Sequence, residues 1–183
     1  MIPPYTGKKR PNSMRHPTHD YTATGAYFVT ICVHDRQPLF GCVADGDMHL
    51  SALGMIAGHC WHDVMANHSH VELDVYVIMP NHVHALLQIL VEPRDQPAAA
   101  QRQFARPIAG SISTLVGRYK AEVSRRAKRA DLAPAGKLWQ RNFRDRIVRG
   151  QRELENVRAY IATDPQRWGT DRLCPGGRPK WHE

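Results

Sequence analysis

The chain has 183 residues, of which 42% are hydrophobic and 8% aromatic, and this suits one compact domain with an ordinary core. Lys and Arg total 25 against 17 Asp and Glu, giving a formal net charge of +8, which suits either a nucleic-acid partner or a basic surface kept for solubility. No apolar run approaches the ~20 residues that span a bilayer, and the first residues lack a signal-peptide core, so a cytoplasmic protein without membrane contact is expected.

The chain begins with a basic stretch that shows neither helical nor strand periodicity. Residues 1–22 are rich in Pro, Lys, Arg and His and are expected to form a surface arm, with residues 23–183 forming a single domain. The first strand is predicted over residues 26–33, which are β-branched and aromatic. Ser51 is a suitable N-cap for a helix over residues 52–65.

A strand predicted over residues 71–79 alternates in polarity. Its odd-numbered residues are all apolar and are expected to share one face of the sheet. Pro80 and Asn81 then supply a tight turn. The next strand, over residues 82–90, therefore begins directly after the turn and pairs with the strand over residues 71–79 as a hairpin.

The strand over residues 82–90 carries two histidines on one face. The odd-numbered side chains from Val83 to Ile89 are apolar, so His82 and His84 project from the opposite face. Their Cα atoms are expected roughly 6 to 7 Å apart, so that both imidazoles can bind one metal ion. The same spacing is typical of two polar residues near a strand end, and it does not distinguish these alternatives.

A long helix with a basic outer face is predicted over residues 108–130, after a connection rich in Pro, Ala and Gln at 92–106. Glu122 is the only acidic residue on this face. The charge pattern favours a surface that faces phosphates over a salt-bridged solvent face. The alternative is a solvated helix end whose cations lie near its negative pole. The cations are Arg118, Lys120, Arg125, Arg126, Lys128 and Arg129.

A last helix is predicted over residues 151–163, ended by Pro165. Tyr160 and Asp164 are four residues apart, so they lie on the same side of this helix, at the edge of the stripe that contacts the sheet. There they can supply a nucleophile and a third metal ligand. Each also has an ordinary explanation, Tyr160 as a half-buried residue at a helix border and Asp164 as a turn residue before proline.

The order of these elements predicts an α+β fold in which helices pack on an antiparallel sheet. The cysteines lack the CxxC spacing of a zinc ribbon or a disulfide framework; they are Cys32, Cys42, Cys60 and Cys174. The segment His59-Cys60-x-His62 is not expected to bind zinc, because the predicted helix turns Cys60 inward. His68 and His70 are expected to be surface histidines in turns.

Four segments together resemble the REP-associated tyrosine transposases, which are relatives of the IS200/IS605 transposases. They are MPNHVHALLQI, SISTLVGRYKAEVSRR, LWQRNF and RAYIATDPQRW, and the resemblance extends over nearly the whole chain from about Tyr21. This family belongs to the HUH endonucleases, named for a His-hydrophobic-His motif that His82-Val83-His84 matches. The resemblance implies a ferredoxin-like antiparallel sheet with packed helices.

The resemblance also implies roles for individual residues. His82 and His84 match the metal-binding pair, and Tyr160 matches the nucleophile in a segment of the form Tyr-Ile-x-x-Asn-Pro. Asp164 stands where that segment usually has Asn and is the implied third ligand. A carboxylate there should bind a hard cation, Mg²⁺ or Mn²⁺, more tightly than an amide would, while it adds negative charge beside the phosphate.

The implied activity is metal-dependent cleavage and strand transfer of single-stranded or hairpin DNA, such as a repetitive extragenic palindrome, through a covalent 5′-phosphotyrosine. The alternative is a protein that binds hairpin DNA but no longer cuts it, because Asp164 and Arg146 depart from the family pattern, in which His commonly stands in place of Arg146. A hydrolase that acts through activated water is a third alternative. A monomer is favoured over a homodimer, although IS200-like enzymes are dimers.

The expected contacts to the DNA backbone are cations outside the metal site. They are Lys8, Lys9 and Arg10 of the arm, Arg118, Lys120, Arg125 and Arg126 of the long helix, and Arg146.

Overall fold

A computed structural model describes residues 23–66, 68–91 and 110–175. Within these ranges a 3₁₀ helix, Pro165–Thr170, follows the last α-helix. The strands and α-helices are, in order, β1 (Gly25–Cys32), β2 (Gly41–Ala44), β3 (Asp47–Leu50), α1 (Ala52–Met65), β4 (Val71–Met79), β5 (His82–Ile89), α2 (Ile112–Arg129), β6 (Arg144–Val148) and α3 (Gln151–Ala162). The predicted arm and the connection at 92–106 lie outside the described residues. None of the helices in the described ranges is long and apolar enough to cross a membrane.

Four strands form one sheet in the order β4-β5-β1-β6, with every neighbouring pair antiparallel. Helix α1 connects β1 to β4, and α2 connects β5 to β6, so these elements follow the βαββαβ order of a ferredoxin-like fold. Strands β2 and β3 pair as a separate hairpin between β1 and α1. The predicted fold class, an antiparallel sheet with packed helices, is confirmed.

The two faces of the sheet are covered by different helices. On one face, side chains such as Val29 and Val83 pack with Trp61 of α1 and Tyr119 of α2 in the larger core. On the other face, α3 packs against the sheet, and its Ile161 contributes to a smaller apolar cluster. The stripe of α3 that was predicted to contact the sheet is therefore confirmed, and His82 and His84 lie on the α3 side.

Strand β4 does not keep the single apolar face predicted for residues 71–79. The pairing with β5 shifts between Leu73 and Val75, so Asp74 is an extra residue in a β-bulge. Leu73 packs with the core under α1 and α2, whereas Val75 and Val77 pack with the cluster under α3. Because a one-residue shift exchanges the two faces of a strand, one alternating run supplies both.

Helix α2 begins later than predicted. The Ser111 hydroxyl accepts a hydrogen bond from the backbone N–H of Thr114, so Ser111 is the N-cap and Ile112 the first helical residue. Gly110 precedes it with a φ of 75°, in the left-handed region that favours glycine and that a continuing helix excludes. The cap predicted for α1 is confirmed, because the Ser51 hydroxyl accepts from the backbone N–H of Gly54.

Helix α3 is held to the sheet by an ion pair as well as by its apolar face. The Arg158 guanidinium donates to both carboxylate oxygens of Asp74, with Nε 2.9 Å from Oδ1 and Nη2 2.6 Å from Oδ2. Hydrogen bonding from Arg158 keeps the pKa of Asp74 below its usual value. The bulge in β4 thus presents the carboxylate that fixes α3.

Candidate metal centre

Three ligand-type side chains converge where β5 begins and the chain leaves α3. Nε2 of His82 lies 3.5 Å from Oδ2 of Asp164, and Nε2 of His84 lies 3.8 Å from the same oxygen. One ligand atom from each of the three residues lies within 4.8 Å of the other two. The structure therefore places Asp164, which follows the last α-helix, next to both histidines of β5.

These three side chains are buried, and the atoms that face one another lack hydrogen-bond partners among the described residues. His82, His84 and Asp164 are 0%, 3% and 1% exposed. Both Nε2 atoms and both carboxylate oxygens have no hydrogen-bond partner among the described residues. Buried polar atoms are normally paired, because removing an imidazole or a carboxylate from water is costly. Two imidazole nitrogens and a carboxylate that face one point in this way suit a divalent cation.

Asn81 orients the first histidine. Its amide nitrogen donates to the backbone carbonyl of Leu173 at 2.7 Å and to that of Arg36 at 3.1 Å, which directs Oδ1 the other way. Oδ1 accepts a hydrogen bond at 2.9 Å from Nδ1 of His82. This network assigns the proton to Nδ1 and leaves the lone pair of Nε2 facing Asp164.

Thr30 of β1 orients the second histidine. Its hydroxyl lies 3.0 Å from Nδ1 of His84, directly across the β1–β5 pairing. Burial, and next the neighbouring His82, hold the pKa of His84 well below its usual value of 6.5. A neutral imidazole is the form that binds a metal ion, so His84 is suited to that role at neutral pH.

Tyr160 lies beside this cluster in the same chain. Its ring packs edge-on against His84, with centroids 5.5 Å apart, and against Phe28, with centroids 5.8 Å apart. The Arg167 guanidinium lies 4.4 Å above the ring, and the phenol hydroxyl lies 3.4 Å from Oδ2 of Asp171. The predicted nucleophile therefore lies next to a predicted ligand of the same chain.

The surroundings of Tyr160 oppose its ionisation. Burial, followed by the negative charges of Asp164 and Asp171, raises the pKa of Tyr160 to about 12. A protonated phenol is a weak nucleophile, so a nearby positive charge is needed to make this oxygen reactive. Arg167 supplies one such charge.

The 3₁₀ helix after α3 lies beside the metal-ligand group. The Trp168 ring lies 5.9 Å from that of His82, and the following residues are held by the Asn81 contact to Leu173. Three residues of this site were not predicted from the sequence: Asn81, Thr30 and Trp168. Asn81 and Trp168 lie inside the segments that carry the family resemblance, whereas Thr30 can be identified only when the β1–β5 register is known.

The basic helix α2 lies on the face of the sheet opposite the metal-ligand group, and two of its arginines are paired with carboxylates. Glu122 accepts hydrogen bonds from Nε of Arg125 at 2.9 Å and from Nε of Arg126 at 2.7 Å. Arg126 also contacts the carboxylate of Asp63 at 2.7 Å. The expectation of a surface without salt bridges was therefore wrong at Arg125 and Arg126. Glu122 pairs with both, and α1 supplies Asp63, an acidic partner that the pattern of α2 cannot reveal.

Two other cations of α2 make internal contacts. Arg118 lies 2.7 Å from Nε2 of His68, which is buried, contrary to the prediction of a surface histidine. Nζ of Lys120 donates to the backbone carbonyls of Gln140 at 2.8 Å and Asn142 at 3.0 Å. Lys120 thus holds the LWQRNF segment against α2.

The remaining predicted DNA contacts are placed as follows. Arg146 lies on β6, on the α3 side of the sheet, and forms an ion pair with Glu153 of α3. Lys8, Lys9 and Arg10 lie outside the described residues. No second group of three metal-ligand side chains occurs within the described ranges, and Cys60 is buried as predicted.

Comparison with known proteins supports this fold. No protein-family model matches the chain. An uncharacterized protein of Haemophilus influenzae is 29% identical over 166 residues, covering 88% of this chain and 91% of that protein. A solved structure of a REP-associated tyrosine transposase bound to a REP hairpin is 16% identical, with a TM-score of 0.58 over 85% of this chain and 75% of that chain. A protein of Deinococcus radiodurans R1, provisionally described as a transposase, is also 16% identical, with a TM-score of 0.47 over 84% and 98% of the two chains.

The similarity to the REP-associated tyrosine transposase covers 85% of this chain. The fold that the sequence resemblance implied is therefore confirmed.

Proposed function

We propose that this protein is a metal-dependent endonuclease and strand transferase for single-stranded DNA, a transposase of the HUH tyrosine type. The observation that carries the proposal is the position of Tyr160 beside the buried group of His82, His84 and Asp164. A phenol next to two imidazoles and a carboxylate without partners is the combination that a covalent tyrosine mechanism requires.

The proposed substrate is single-stranded DNA at a hairpin. The net charge of +8 favours a polyanion, and the similar transposase structure holds a REP hairpin. In unpaired DNA the phosphates and base faces are accessible, and aromatic side chains such as Trp168 suit stacking with a base. The proposed contacts to the backbone away from the site are Lys8, Lys9, Arg10, Arg118, Arg125 and Arg126, whereas the charges of Lys120 and Arg146 are directed to partners within the protein.

His82, His84 and Asp164 are the proposed ligands of Mg²⁺ or Mn²⁺. Two imidazoles favour Mn²⁺, whereas the carboxylate suits either ion. The chemistry that such an ion supplies when bound is polarisation of a non-bridging phosphate oxygen. Asn81 and Thr30 keep the two rings oriented toward Asp164.

Tyr160 is the proposed nucleophile. Its oxygen forms a bond to phosphorus, the bond from phosphorus to O3′ breaks, and the departing O3′ takes up a proton while the phenol loses one. The products are a 5′-phosphotyrosine and a free 3′-hydroxyl. Because one phosphodiester replaces another, a 3′-hydroxyl can reverse the step and join a new strand without ATP.

Covalent capture tests this proposal. The protein is incubated with Mn²⁺ and a pool of 3′-labelled single-stranded oligonucleotides that share one hairpin and carry randomised flanks, then separated under denaturing conditions. We expect a labelled protein adduct that is absent with EDTA and with Tyr160→Phe. Tyr76→Phe is the matched control, because Tyr76 faces the other side of the sheet and bonds His62. Cleavage that persists in Tyr160→Phe would instead indicate a hydrolase that uses activated water.

A hairpin-binding protein without cleavage is the second candidate function. Two observations favour it: the metal-ligand group is buried, and the Tyr160 hydroxyl has a pKa raised to about 12. Tight binding of the same pool without any adduct, in Mg²⁺ and in Mn²⁺, would support this candidate.

The placement of Tyr160 in the pocket of its own chain favours a monomeric enzyme. We expect the adduct to form at a rate per molecule that does not depend on protein concentration. Mixing Tyr160→Phe with His82→Ala should then restore no activity, whereas a dimer with shared sites would regain some.

A further inference from the structure

On the face of the sheet that carries the metal-ligand group, α3 covers β4 and β5, whereas the edge strand β6 is more exposed. Helix α3 packs against β4 and β5, and Trp168 lies beside His82. Over β6, by contrast, Arg144 and Arg146 are both exposed. A strand of DNA that approaches the buried ligands therefore has room above the edge strand β6.

Strand register places Arg144 level with the metal site. Thr30 pairs with His84 across β1–β5 and with Arg144 across β1–β6, so the three residues form one row across the sheet. The hydrogen bond between Thr30 and His84 shows that the side chains of this row lie on the site's face. Two strand spacings separate His84 from Arg144, about 10 Å between Cα atoms.

The charge of Arg144 is available, unlike that of its neighbours. Arg146 lies one row further from His82 and is paired with Glu153, and Arg167 is engaged with Tyr160. The side chain of Arg144 has no hydrogen bond or ion pair with the described residues, and it is exposed.

We propose that Arg144 binds one phosphate of the DNA, adjacent to the phosphate held at the metal site. The DNA then runs across β1 toward the edge strand β6. This inference rests on the proposed function. The contact to the DNA backbone that was expected of Arg146 is thereby assigned to Arg144. An arginine suits the role because its planar fork can bind two phosphate oxygens and stays charged.

The salt dependence of DNA binding tests the assignment. The probe is a fluorescein-labelled hairpin with oligo(dT) flanks, measured with Mn²⁺ in the Tyr160→Phe background so that bound DNA stays intact. Arg144→Gln should weaken binding about tenfold at low salt and reduce the slope of log Kd against log [KCl] by about 0.7, the value for one contact to single-stranded DNA. Arg144→Lys should keep the slope and lose part of the affinity.

Two control variants each remove one positive charge at another position. The first is Arg129→Gln, at the exposed end of α2, which packs on the opposite face of the sheet. The second is Arg146→Gln, on β6, where Arg146 pairs with Glu153. Both should keep the slope of the parent protein. Equal slopes for Arg144→Gln and Arg129→Gln, or a loss confined to Arg146→Gln, would overturn the assignment.

The outcome separates this inference from the proposed function. If the parent protein forms the Tyr160 adduct while Arg144→Gln keeps the parental slope, only the phosphate site is wrong. If no adduct forms but Arg144→Gln reduces the slope as expected, the assignment of the phosphate contact is supported and the proposed cleavage is wrong. A parent protein that does not bind the probe overturns both.

Discussion

Oδ1 of Asn81 accepts a hydrogen bond at 2.9 Å from Nδ1 of His82, the residue that follows it. Asn81 therefore does more than complete the turn between β4 and β5. Its amide nitrogen is fixed by the carbonyls of Leu173 and Arg36, so the ring of His82 is oriented by contacts that reach across the molecule. Such contacts around a ligand keep the metal-binding nitrogen directed at the ion.

Asn81→Ala should lower the affinity for Mn²⁺ roughly 10- to 100-fold, because the ring of His82 loses its orientation. Isothermal titration calorimetry measures this loss directly. Asn81→Asp is the matched control, since a carboxylate still accepts from Nδ1 but cannot donate to the two backbone carbonyls. We expect it to keep most of the metal affinity. An affinity for Asn81→Ala equal to that of the parent would show that His82 needs no such support.

Asp164→Asn should change stability in opposite directions with and without metal. Without metal, the buried carboxylate has no hydrogen-bond partner, so a neutral amide should raise the free energy of unfolding by about 1–3 kcal/mol. With Mn²⁺, the weaker ligand should reduce the increase in Tm that the ion causes. Thermal unfolding in EDTA and in Mn²⁺ measures both effects.

The opposite result in EDTA would have a different meaning. A less stable Asp164→Asn protein would indicate that the carboxylate is held by a protonated histidine, as an ion pair, rather than kept for a cation. Glu155→Gln, an exposed carboxylate on α3, controls for the loss of one negative charge and should change neither quantity.

The histidine pair could be predicted from the sequence because it depends only on the two-residue period of one strand. His82 and His84 must share a face wherever β5 lies in the sheet. Asp164 depends on how α3 docks: its helical spacing from Tyr160 made it a candidate third ligand, and the family resemblance matched it to that role. Thr30 could not be found in advance, since its contact with His84 is set by the register of β1 against β5.

Other features depended on contacts between distant segments. The run 71–79 alternates throughout, and nothing in it marks Asp74 as the bulged residue; its partner Arg158 lies 84 positions away. Strand β6 was not predicted, because the sequence RDRIV alternates charged residues with others on an exposed edge. The pairing of Arg126 with Asp63 likewise required the packing of α2 on α1.

Arg158→Met should slow covalent capture of DNA without weakening metal binding. The ion pair with Asp74 holds the middle of α3, which carries Tyr160, whereas His82 and His84 are fixed by the sheet. Adduct formation at saturating Mn²⁺ and calorimetric Mn²⁺ affinity separate the two effects. Arg152→Met, an exposed arginine in the first turn of the same helix, should leave both unchanged. A parallel loss of metal affinity in Arg158→Met would indicate that the ion pair positions Asp164 as well.

Lys120 should make the folded protein more stable as the pH rises from about 8 to 10.5. Burial lowers the pKa of Lys120 from 10.5 to about 8. Between these values the unfolded chain binds a proton that the folded chain has released, so the free energy of unfolding increases with pH. Below this window both states are protonated at Lys120, and above it neither is, so the contribution is constant there.

Urea unfolding of the parent and of Lys120→Met across this pH range measures the contribution of Lys120 as a difference, in which the titration of other groups cancels. We expect the difference in unfolding free energy, parent minus variant, to grow with pH. Lys128→Met, on the exposed side of α2, should show no such trend. A difference that shrinks as the pH rises would mean that the carbonyls of Gln140 and Asn142 hold the charged ammonium more strongly than burial disfavours it. In either case the charge is directed into the protein, so Lys120→Met should keep the parental salt dependence of DNA binding.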